Sequence, residues 1–311
     1  MICCFPDPLP DELFYSVCAR FHSTMKYRAA THTSMELFGS AAARAAIDLP
    51  QRLAHLLSLL PPGHRYTVDS LIEENSLLPF YGAFLPTARV LRLRKVMEGG
   101  GHGGISSRSS IRRLEYFQSC SFCVAEDRKR YGRTYWHRIH QAPGVIVCHV
   151  HNVPLERRYV ELRSKSSRLK FVDAEMELDR NPIQRIRLTA RGHKPALQIA
   201  RDVAWLLSKR NLSCDTKVLH AQYRRLLIEA GFATCKTVRV LNVVEAFTEY
   251  YGRSLLGTLH CQVEGYCNWL TELFLQSRSL HNPLHHLLVM QFLGRSLQQF
   301  FAVTSQDPLH G

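Results

Sequence analysis

The 311-residue chain lacks the sequence features of membrane and exported proteins. No apolar run approaches the roughly 20 residues that a membrane-spanning helix needs. The first residues, Met-Ile-Cys-Cys-Phe-Pro, contain neither a basic segment nor a sustained apolar segment, so nothing in them predicts export. We therefore expect a cytoplasmic protein that makes no membrane contact.

The chain also lacks the short motifs of several enzyme classes. It contains no Gly-x4-Gly-Lys-Ser/Thr phosphate-binding loop, no His-Glu-x2-His zinc protease motif and no Gly-x-Ser-x-Gly nucleophile motif. No His-x-Glu precedes its cysteine pair, as zinc deaminases require. The carboxylates are scattered without a spacing that would support a two-metal nuclease. The sequence predicts a binding protein rather than an enzyme.

Acidic residues are scarce relative to basic ones. The chain has 40 Lys and Arg against 26 Asp and Glu, which gives a formal net charge of +14 and a pI near 9.5. Such an excess is typical of proteins that meet a polyanion, so nucleic acid is the expected partner class. The 46% hydrophobic content is sufficient for a sizeable core divided into two or three units.

Four residues in the middle of the chain have the spacing of zinc ligands. They form two pairs, Cys120-x2-Cys123 and Cys148-x2-His151. Two intervening residues let both side chains of a tight turn reach one tetrahedral ion, and the second pair completes the set. Because four protein ligands leave no position for water, we expect a structural Zn²⁺ rather than a catalytic one. The alternative is ordinary buried thiols and a surface histidine.

The remaining cysteines are expected to be free, mostly buried thiols, since a reducing compartment disfavours disulfides. A second zinc site is an alternative with irregular ligand spacing, drawn from Cys261, Cys267, His281 and His285. The cysteines expected to be free are Cys3, Cys4, Cys18, Cys214, Cys235, Cys261 and Cys267.

The hydrophobic pattern predicts a mostly α-helical protein that contains a small zinc-binding insert. The glycine- and serine-rich residues 99–110 are too poor in apolar side chains to pack and are predicted to form a linker. The predicted units are an N-terminal helical domain (1–98), this linker, a zinc-finger module (111–160), a basic connector (161–188) and a C-terminal helical domain (189–311).

In the N-terminal domain, apolar residues recur at helical spacing between Leu13 and Phe21 behind Asp11, which we interpret as the N-cap. Further helices are predicted at residues 34–38 and 49–60, the latter ending before Pro61-Pro62-Gly63. These three helices could form a helix-turn-helix or an ordinary helical bundle.

After the zinc-finger module, residues 156–173 alternate irregularly and weakly indicate strands. Helical stripes follow at residues 197–207 and 240–251, the second ending at Gly252. Residues 284–297 are apolar on nearly all sides, which predicts a helix enclosed by the others.

The residues around the predicted zinc ligands resemble the TniQ family, which includes the longer TnsD proteins. The matching blocks are Cys120-x2-Cys123, residues 125–132 (Ala-Glu-Asp-Arg-Lys-Arg-Tyr-Gly), residues 135–141 (Tyr-Trp-His-Arg-Ile-His-Gln), Pro143-Gly-Val145, and Cys148-x2-His151 followed by Asn-Val-Pro-Leu. Further matching blocks are residues 10–16 (Pro-Asp-Glu-Leu-Phe-Tyr-Ser), 37–39 (Leu-Phe-Gly), 66–86 and, resembling TnsD, 281–288 (His-Asn-Pro-Leu-His-His-Leu-Leu).

This resemblance implies a target selector of a bacterial cut-and-paste transposon. Such a protein is not an enzyme: it marks a DNA target and recruits the AAA+ ATPase TnsC, which brings the transposase. The alternative is a zinc-dependent DNA-binding transcriptional regulator that acts alone. Many family members carry a second Cys-x2-Cys, but no cysteine lies between Cys148 and Cys214, so we expect one zinc. TnsD proteins are usually longer, which leaves open a truncated TnsD or a shorter CRISPR-associated TniQ that meets a CRISPR effector complex.

The resemblance also implies the roles of residues beside the ligands, which it carries over as Cys120, Cys123, Cys148 and His151. Tyr135 and Trp136 are expected at the hydrophobic centre of the zinc module, with base stacking by Trp136 as the alternative. Five cations are expected on the module's surface, where they contact DNA phosphates or an acidic partner, or form a solvated basic face. They are Arg128, Lys129, Arg130, Arg133 and Arg138.

Overall fold

The computed structural model describes residues 2, 4–40, 47–99, 116–159, 170–178, 183–275 and 282–306, and over these residues the chain is mostly helical, as predicted. No helix within these ranges is long and apolar enough to cross a membrane. The α-helices are α1 (Phe14–Met25), α2 (Ala30–Phe38), α3 (Leu53–Leu59), α4 (Val68–Asn75), α5 (Leu78–Gly82), α6 (Thr87–Glu98), α7 (Ser121–Tyr131), α8 (Ala174–Leu178), α9 (Ala190–Leu207), α10 (Thr216–Glu229), α11 (Val240–Tyr251), α12 (Arg253–Leu259), α13 (Trp269–Leu275), α14 (Pro283–Phe292) and α15 (Leu297–Gln306).

A small antiparallel sheet follows α6 in the described chain. Its strands are β1 (Tyr116–Ser119), β2 (Glu156–Tyr159) and β3 (Ile183–Arg185), in the spatial order β1-β2-β3. Gln118 pairs with Arg157, which in turn pairs with Gln184, so β3 forms one edge of the sheet. The weakly indicated strand region therefore contains β2, whereas residues 160–169 lie outside the described chain.

Two hydrophobic cores share the residues of the predicted zinc-finger module. The first is formed by α1 to α4 and receives Phe117 and Trp136. The second is formed by α9 to α15 and receives Cys120, Cys148 and Val147. Packing in both cores crosses the predicted domain boundaries, and the boundaries themselves stay a prediction.

Two apolar stripes after residue 189 fall on helices, within α9 and along α11, whereas α10, α12 and α13 were not predicted. Helix α11 has the predicted bounds and ends at Gly252, whose φ of +75° an L side chain rarely adopts. In α14 the first eight residues, from Pro283 to Met290, are all buried, as expected for an enclosed helix. The predicted continuous helix to residue 297 is wrong, because α14 ends at Phe292 and Leu297 begins α15.

Several N-terminal helix bounds differ from the prediction. Asp11 is not an N-cap: its φ is +54°, and Leu13 occupies the N-cap position of α1 without a side-chain cap. Helix α2 begins at Ala30, one turn before the predicted start, and α3 begins only at Leu53. The predicted linker lies outside the described residues except for Gly99.

Gly144 allows the zinc-finger module to approach α14 closely. Its φ is +86°, and a Cβ at this position would lie 2.4 Å from Cδ1 of Leu284. We expect Gly144→Ala to lower the free energy of unfolding by about 2–3 kcal/mol, since it combines positive-φ strain with overpacking. Urea unfolding of the variant measures this loss.

Gly132→Ala is the matched control, because Gly132 has a φ of +73° but nothing within 4 Å of the point that an added methyl carbon would occupy. It should show only the conformational strain, on the order of 1 kcal/mol. Equal losses in both variants would contradict the proposed close approach.

Candidate metal centre

The structure brings the four predicted ligands into one cluster. One ligand atom from each of Cys120, Cys123, Cys148 and His151 lies within 4.8 Å of the other three. The cysteines are buried and the histidine is half-buried. Among the described residues, no other group of three or more Cys, His, Asp or Glu has this convergence.

The distances between these atoms fit a tetrahedral zinc ion. Nδ1 of His151 lies 3.6 Å from Sγ of Cys120, 3.4 Å from Sγ of Cys123 and 3.6 Å from Sγ of Cys148. The Sγ atoms of Cys123 and Cys148 are 3.7 Å apart. With Zn–S near 2.3 Å and Zn–N near 2.0–2.1 Å, a tetrahedron has S–S edges of about 3.8 Å and S–N edges of about 3.6 Å.

A helix N-terminus and a tight turn position the two ligand pairs. Cys120 is the N-cap of α7, and Cys123 lies in its first turn, where the helix dipole favours thiolates. The second pair lies on a turn in which the Cys148 N–H donates to Val153 O at 2.8 Å and the Asn152 N–H donates to Cys148 O at 2.8 Å. Asn152 has a φ of +56°, a conformation that asparagine tolerates.

Hydrogen bonds within the cluster favour negative charge on one sulfur, which would attract a cation. Hydrogen bonds from the thiols of Cys120 and Cys123, with a backbone hydrogen bond from His151, lower the pKa of Cys148. A divalent ion bound here would replace the protons that the thiols carry.

His151 is held in place from its outer side. Its Nε2 lies 3.1 Å from Oε1 of Glu126, and the Phe122 ring stacks on the imidazole with centroids 5.4 Å apart. Burial lowers the pKa of His151, but the hydrogen bonds to Glu126 and Cys148 outweigh it and raise the pKa to about 9. Because Glu126 contacts Nε2, Nδ1 is the ring nitrogen that faces the sulfurs. Metal-bound histidines commonly have such a partner on the nitrogen that does not bind the metal.

Trp136 does not cover this cluster, contrary to the prediction. It is buried in the N-terminal core, where its ring stacks on Phe117 at 4.5 Å and its Nε1–H donates to Val172 O at 2.8 Å. With 1% of its surface exposed it cannot stack on a base either. Tyr135 is also buried, stacking on His137 and donating its hydroxyl to Pro10 O at 2.9 Å.

The expected surface of five cations is only partly present. Arg128 and Arg133 pair with residues of the α8 region, at 2.8 Å from Glu175 and 2.6 Å from Asp173. Lys129 and Arg130 are exposed, and within the described chain neither forms an ion pair. These two cations remain candidates for contact with DNA or an acidic partner.

The surface position predicted for Arg138 is wrong. Arg138 is 6% exposed, and its guanidinium donates to Asp11 Oδ1 at 3.1 Å and to three backbone carbonyls. The carbonyls belong to Glu73, Ser76 and Leu207, at 2.5, 3.1 and 3.4 Å. Arg138 thus joins the N-terminal helices, the zinc-finger module and α9, and buried acceptors explain its burial.

Sequence reasoning missed the buried polar pairs around the module. Glu12 is fully buried and pairs with Arg20 at 2.6 Å. Asp127, next to the cationic run, accepts hydrogen bonds from Thr134 Oγ1 at 3.0 Å and from His137 Nε2 at 2.9 Å. The only signal in the sequence was the presence of these acids in the blocks that resemble the family.

The other cysteines are free, and half of those described are buried. Cys18, Cys214 and Cys261 are buried, whereas Cys4, Cys235 and Cys267 are exposed, so the expectation of mostly buried thiols is only partly met. Cys3, and the His281 of the alternative second site, lie outside the described residues.

Comparisons with known proteins match both halves of the chain. Residues 3–155 match the TniQ family model, and residues 199–310 match the model described as Tn7-like transposition protein D, TnsD. The chain is also similar to the Transposon Tn7 transposition protein TnsD of Escherichia coli, with 25% identity over 319 aligned residues. The alignment covers 97% of this chain and 61% of that relative, so the chain spans less than two thirds of the relative's length. These matches confirm the predicted resemblance.

Proposed function

We propose that this chain, which belongs to the TniQ/TnsD family, is a target-selection adaptor of a Tn7-like transposition system. It associates with target DNA, directly or through a targeting complex such as a CRISPR effector, and it recruits the AAA+ ATPase TnsC. The observation that carries this proposal is the pair of family matches, which lie in succession along one chain.

The cluster of Cys120, Cys123, Cys148 and His151 supports a binding role rather than a catalytic one. Three cysteine sulfurs and one imidazole suit Zn²⁺, and the distances between their ligand atoms fit its tetrahedron. With four protein ligands the ion has no open position for water or substrate. We propose that Zn²⁺ fixes the turn at residues 148–151 against α7 and so shapes the surface between the two helical cores.

The partner contact is proposed for the solvent-facing part of α7. Lys129 and Arg130 lie there, about two turns beyond Cys123, and the described chain offers neither a carboxylate partner. A cationic surface of this kind fits an acidic patch on a protein partner or a DNA phosphate.

Gel filtration with TnsC tests the adaptor function. The chain and TnsC are expected to elute together in the presence of ATP. Combined Lys129→Glu and Arg130→Glu changes should reduce co-elution about tenfold or more, because charge reversal replaces attraction by repulsion. Arg89→Glu with Arg92→Glu on the exposed face of α6 is the matched control and should co-elute as the parent does.

A transcriptional regulator acting alone would not bind TnsC under any nucleotide condition. Absence of co-elution with functional TnsC, with and without ATP, would therefore contradict the adaptor proposal. Loss of co-elution in both charge-reversed variants would assign the effect to net charge rather than to α7.

A further inference from the structure

An arginine-lined groove lies at the edge of the small sheet, away from the site residues predicted from the sequence. It has a volume of about 810 Å³ and is formed by β3, the residues after it, Arg157 of β2 and one residue of α12. Three arginines dominate its lining. The lining residues are Arg157, Ile183, Gln184, Arg185, Ile186, Arg187 and Thr258.

Positive charge exceeds negative charge around this groove. Three guanidinium groups line it, whereas Arg158, the next residue of β2, is buried and is not among the lining residues. Glu156 lies 3.9 Å from both Arg158 and Arg185, so a single carboxylate is shared between two guanidinium groups at long distance. Within the described chain, no carboxylate forms an ion pair with Arg157 or Arg187. Among the described residues, the three lining arginines and Glu156 leave a net charge of about +2 around the groove.

Folding partly removes water from the Arg157 side chain, and no carboxylate in the described chain forms an ion pair with it. Its side chain is half-buried, and burial lowers its pKa. Its polar contact is with Gln118 Oε1 at 3.3 Å, and its guanidinium lies 6.0 Å from the Tyr116 ring centroid. An anion in the groove would restore the electrostatic stabilisation that burial removed.

Arg185 ends the edge strand β3, and Arg187 follows it two residues later. Arg185 and Arg187 are exposed and flank the buried Ile186, so their side chains leave the backbone on the same side. Two residues separated by one other have Cα atoms at most about 7 Å apart. Two guanidinium groups at this separation can contact two phosphate groups of one strand at the same time, each with two hydrogen-bond donors.

We propose that this groove binds the phosphate backbone of duplex DNA through Arg157, Arg185 and Arg187. The inference rests on the proposed function, in which target DNA is a partner, and it assigns the contact to the β2–β3 edge rather than to α7. Phosphate contacts fix the position of the chain on DNA without reading bases, so the groove contributes affinity and not sequence choice.

A second cationic surface provides a contrast. Arg89, Arg92 and Lys95 are exposed at positions i, i+3 and i+6 of α6. They lie on one side of a helix rather than in a groove, and none of them lines the arginine-rich groove. This surface resembles an ordinary solvated face of a basic helix, and it offers a charge-matched control.

The test is a DNA-binding titration of the whole chain with a labelled duplex, at salt concentrations around about 0.1 M. Combined Arg157→Gln, Arg185→Gln and Arg187→Gln changes should weaken binding roughly 10- to 100-fold. The slope of log K against log salt should become shallower by about 2 to 3, since each lost phosphate contact removes about 0.9 from its magnitude. Arg89→Gln, Arg92→Gln and Lys95→Gln lower the net charge equally and should change affinity less than about threefold.

Circular dichroism would detect unfolding of the triple variant. In that case the single exposed change Arg187→Gln tests the phosphate contact, and the slope of log K against log salt should become shallower by about 1. Equal losses in the groove and α6 variants, or no binding of duplex by the parent chain, would overturn the proposal. Tighter groove-dependent binding of RNA than of duplex DNA would overturn its assignment to DNA. Co-elution with TnsC is measured separately, so failure of the groove leaves the adaptor proposal standing.

Discussion

Cys148→Ser is expected to abolish the proposed zinc binding and to unfold at a markedly lower temperature. The Cys148 sulfur is fully buried and lies at tetrahedral-edge distance from both Cys123 and His151. A serine hydroxyl is a poor zinc ligand and stays protonated at neutral pH, so the remaining three ligands cannot hold a closed site.

The effect on stability should be large, because the proposed zinc would tie together segments that are part of the core. The ligands come from α7 and from the turn at residues 148–151, and both enter the core formed by α9 to α15. Structural zinc contributes on the order of 10 kcal/mol in small zinc-folded domains, comparable with the whole stability of a typical protein. We expect the midpoint of thermal unfolding to fall by at least about 10 °C.

Elemental analysis and thermal unfolding of the purified protein check this result, with Cys261→Ser as the control. Cys261 is buried in the same core but lies outside the metal cluster, so this variant should keep one zinc per chain. A parent protein without zinc, or a Cys148→Ser variant with full zinc content, would contradict the metal assignment.

Arg138→Ala is expected to lower the free energy of unfolding by about 3–5 kcal/mol. The change removes the donors for Asp11 and for three backbone carbonyls that belong to separate parts of the chain. Each buried acceptor left without a donor costs about 1–3 kcal/mol, so the loss exceeds that of an ordinary surface pair.

Arg138→Lys keeps the charge but replaces a fork of five donors by a single ammonium group. Its free energy of unfolding should therefore lie between those of the parent and Arg138→Ala. Lys129→Ala, an exposed change in the same predicted cationic set, should remain within about 0.5 kcal/mol of the parent. Urea unfolding measures all three variants. If Arg138→Ala changed stability as little as Lys129→Ala does, the buried hydrogen bonds would not join the two cores.

The candidate metal ligands and helix α11 could be predicted because both depend on local spacing. A ligand pair separated by two residues indicates a turn, and apolar residues at helical spacing indicate the buried face of a helix. Both signals are contained within a few residues of the sequence. The bounds of α11 and the convergence of the ligand residues therefore agree with the sequence-based expectation.

The positions of Arg138 and Trp136 could not be predicted, because they depend on partners far along the chain. Arg138 meets carbonyls of Glu73 and Leu207, which are more than 60 residues away from it in each direction. Trp136 leaves the metal cluster because Phe117 and Val172 provide a ring contact and a hydrogen-bond acceptor in the other core. A charged or aromatic residue beside a zinc ligand looks the same in sequence whether its partner is solvent, DNA or the protein interior.

By itself, the sequence determined the helical class, the four candidate ligands, the excess of positive charge and the family resemblance. Only the tertiary structure decided which cations are available to a partner. Ion pairs with Glu175 and Asp173 occupy Arg128 and Arg133, and burial removes Arg138 from the surface. The physical reason is that net charge sums over all residues, whereas the charge that a partner meets depends on which side chains remain exposed and unpaired after folding.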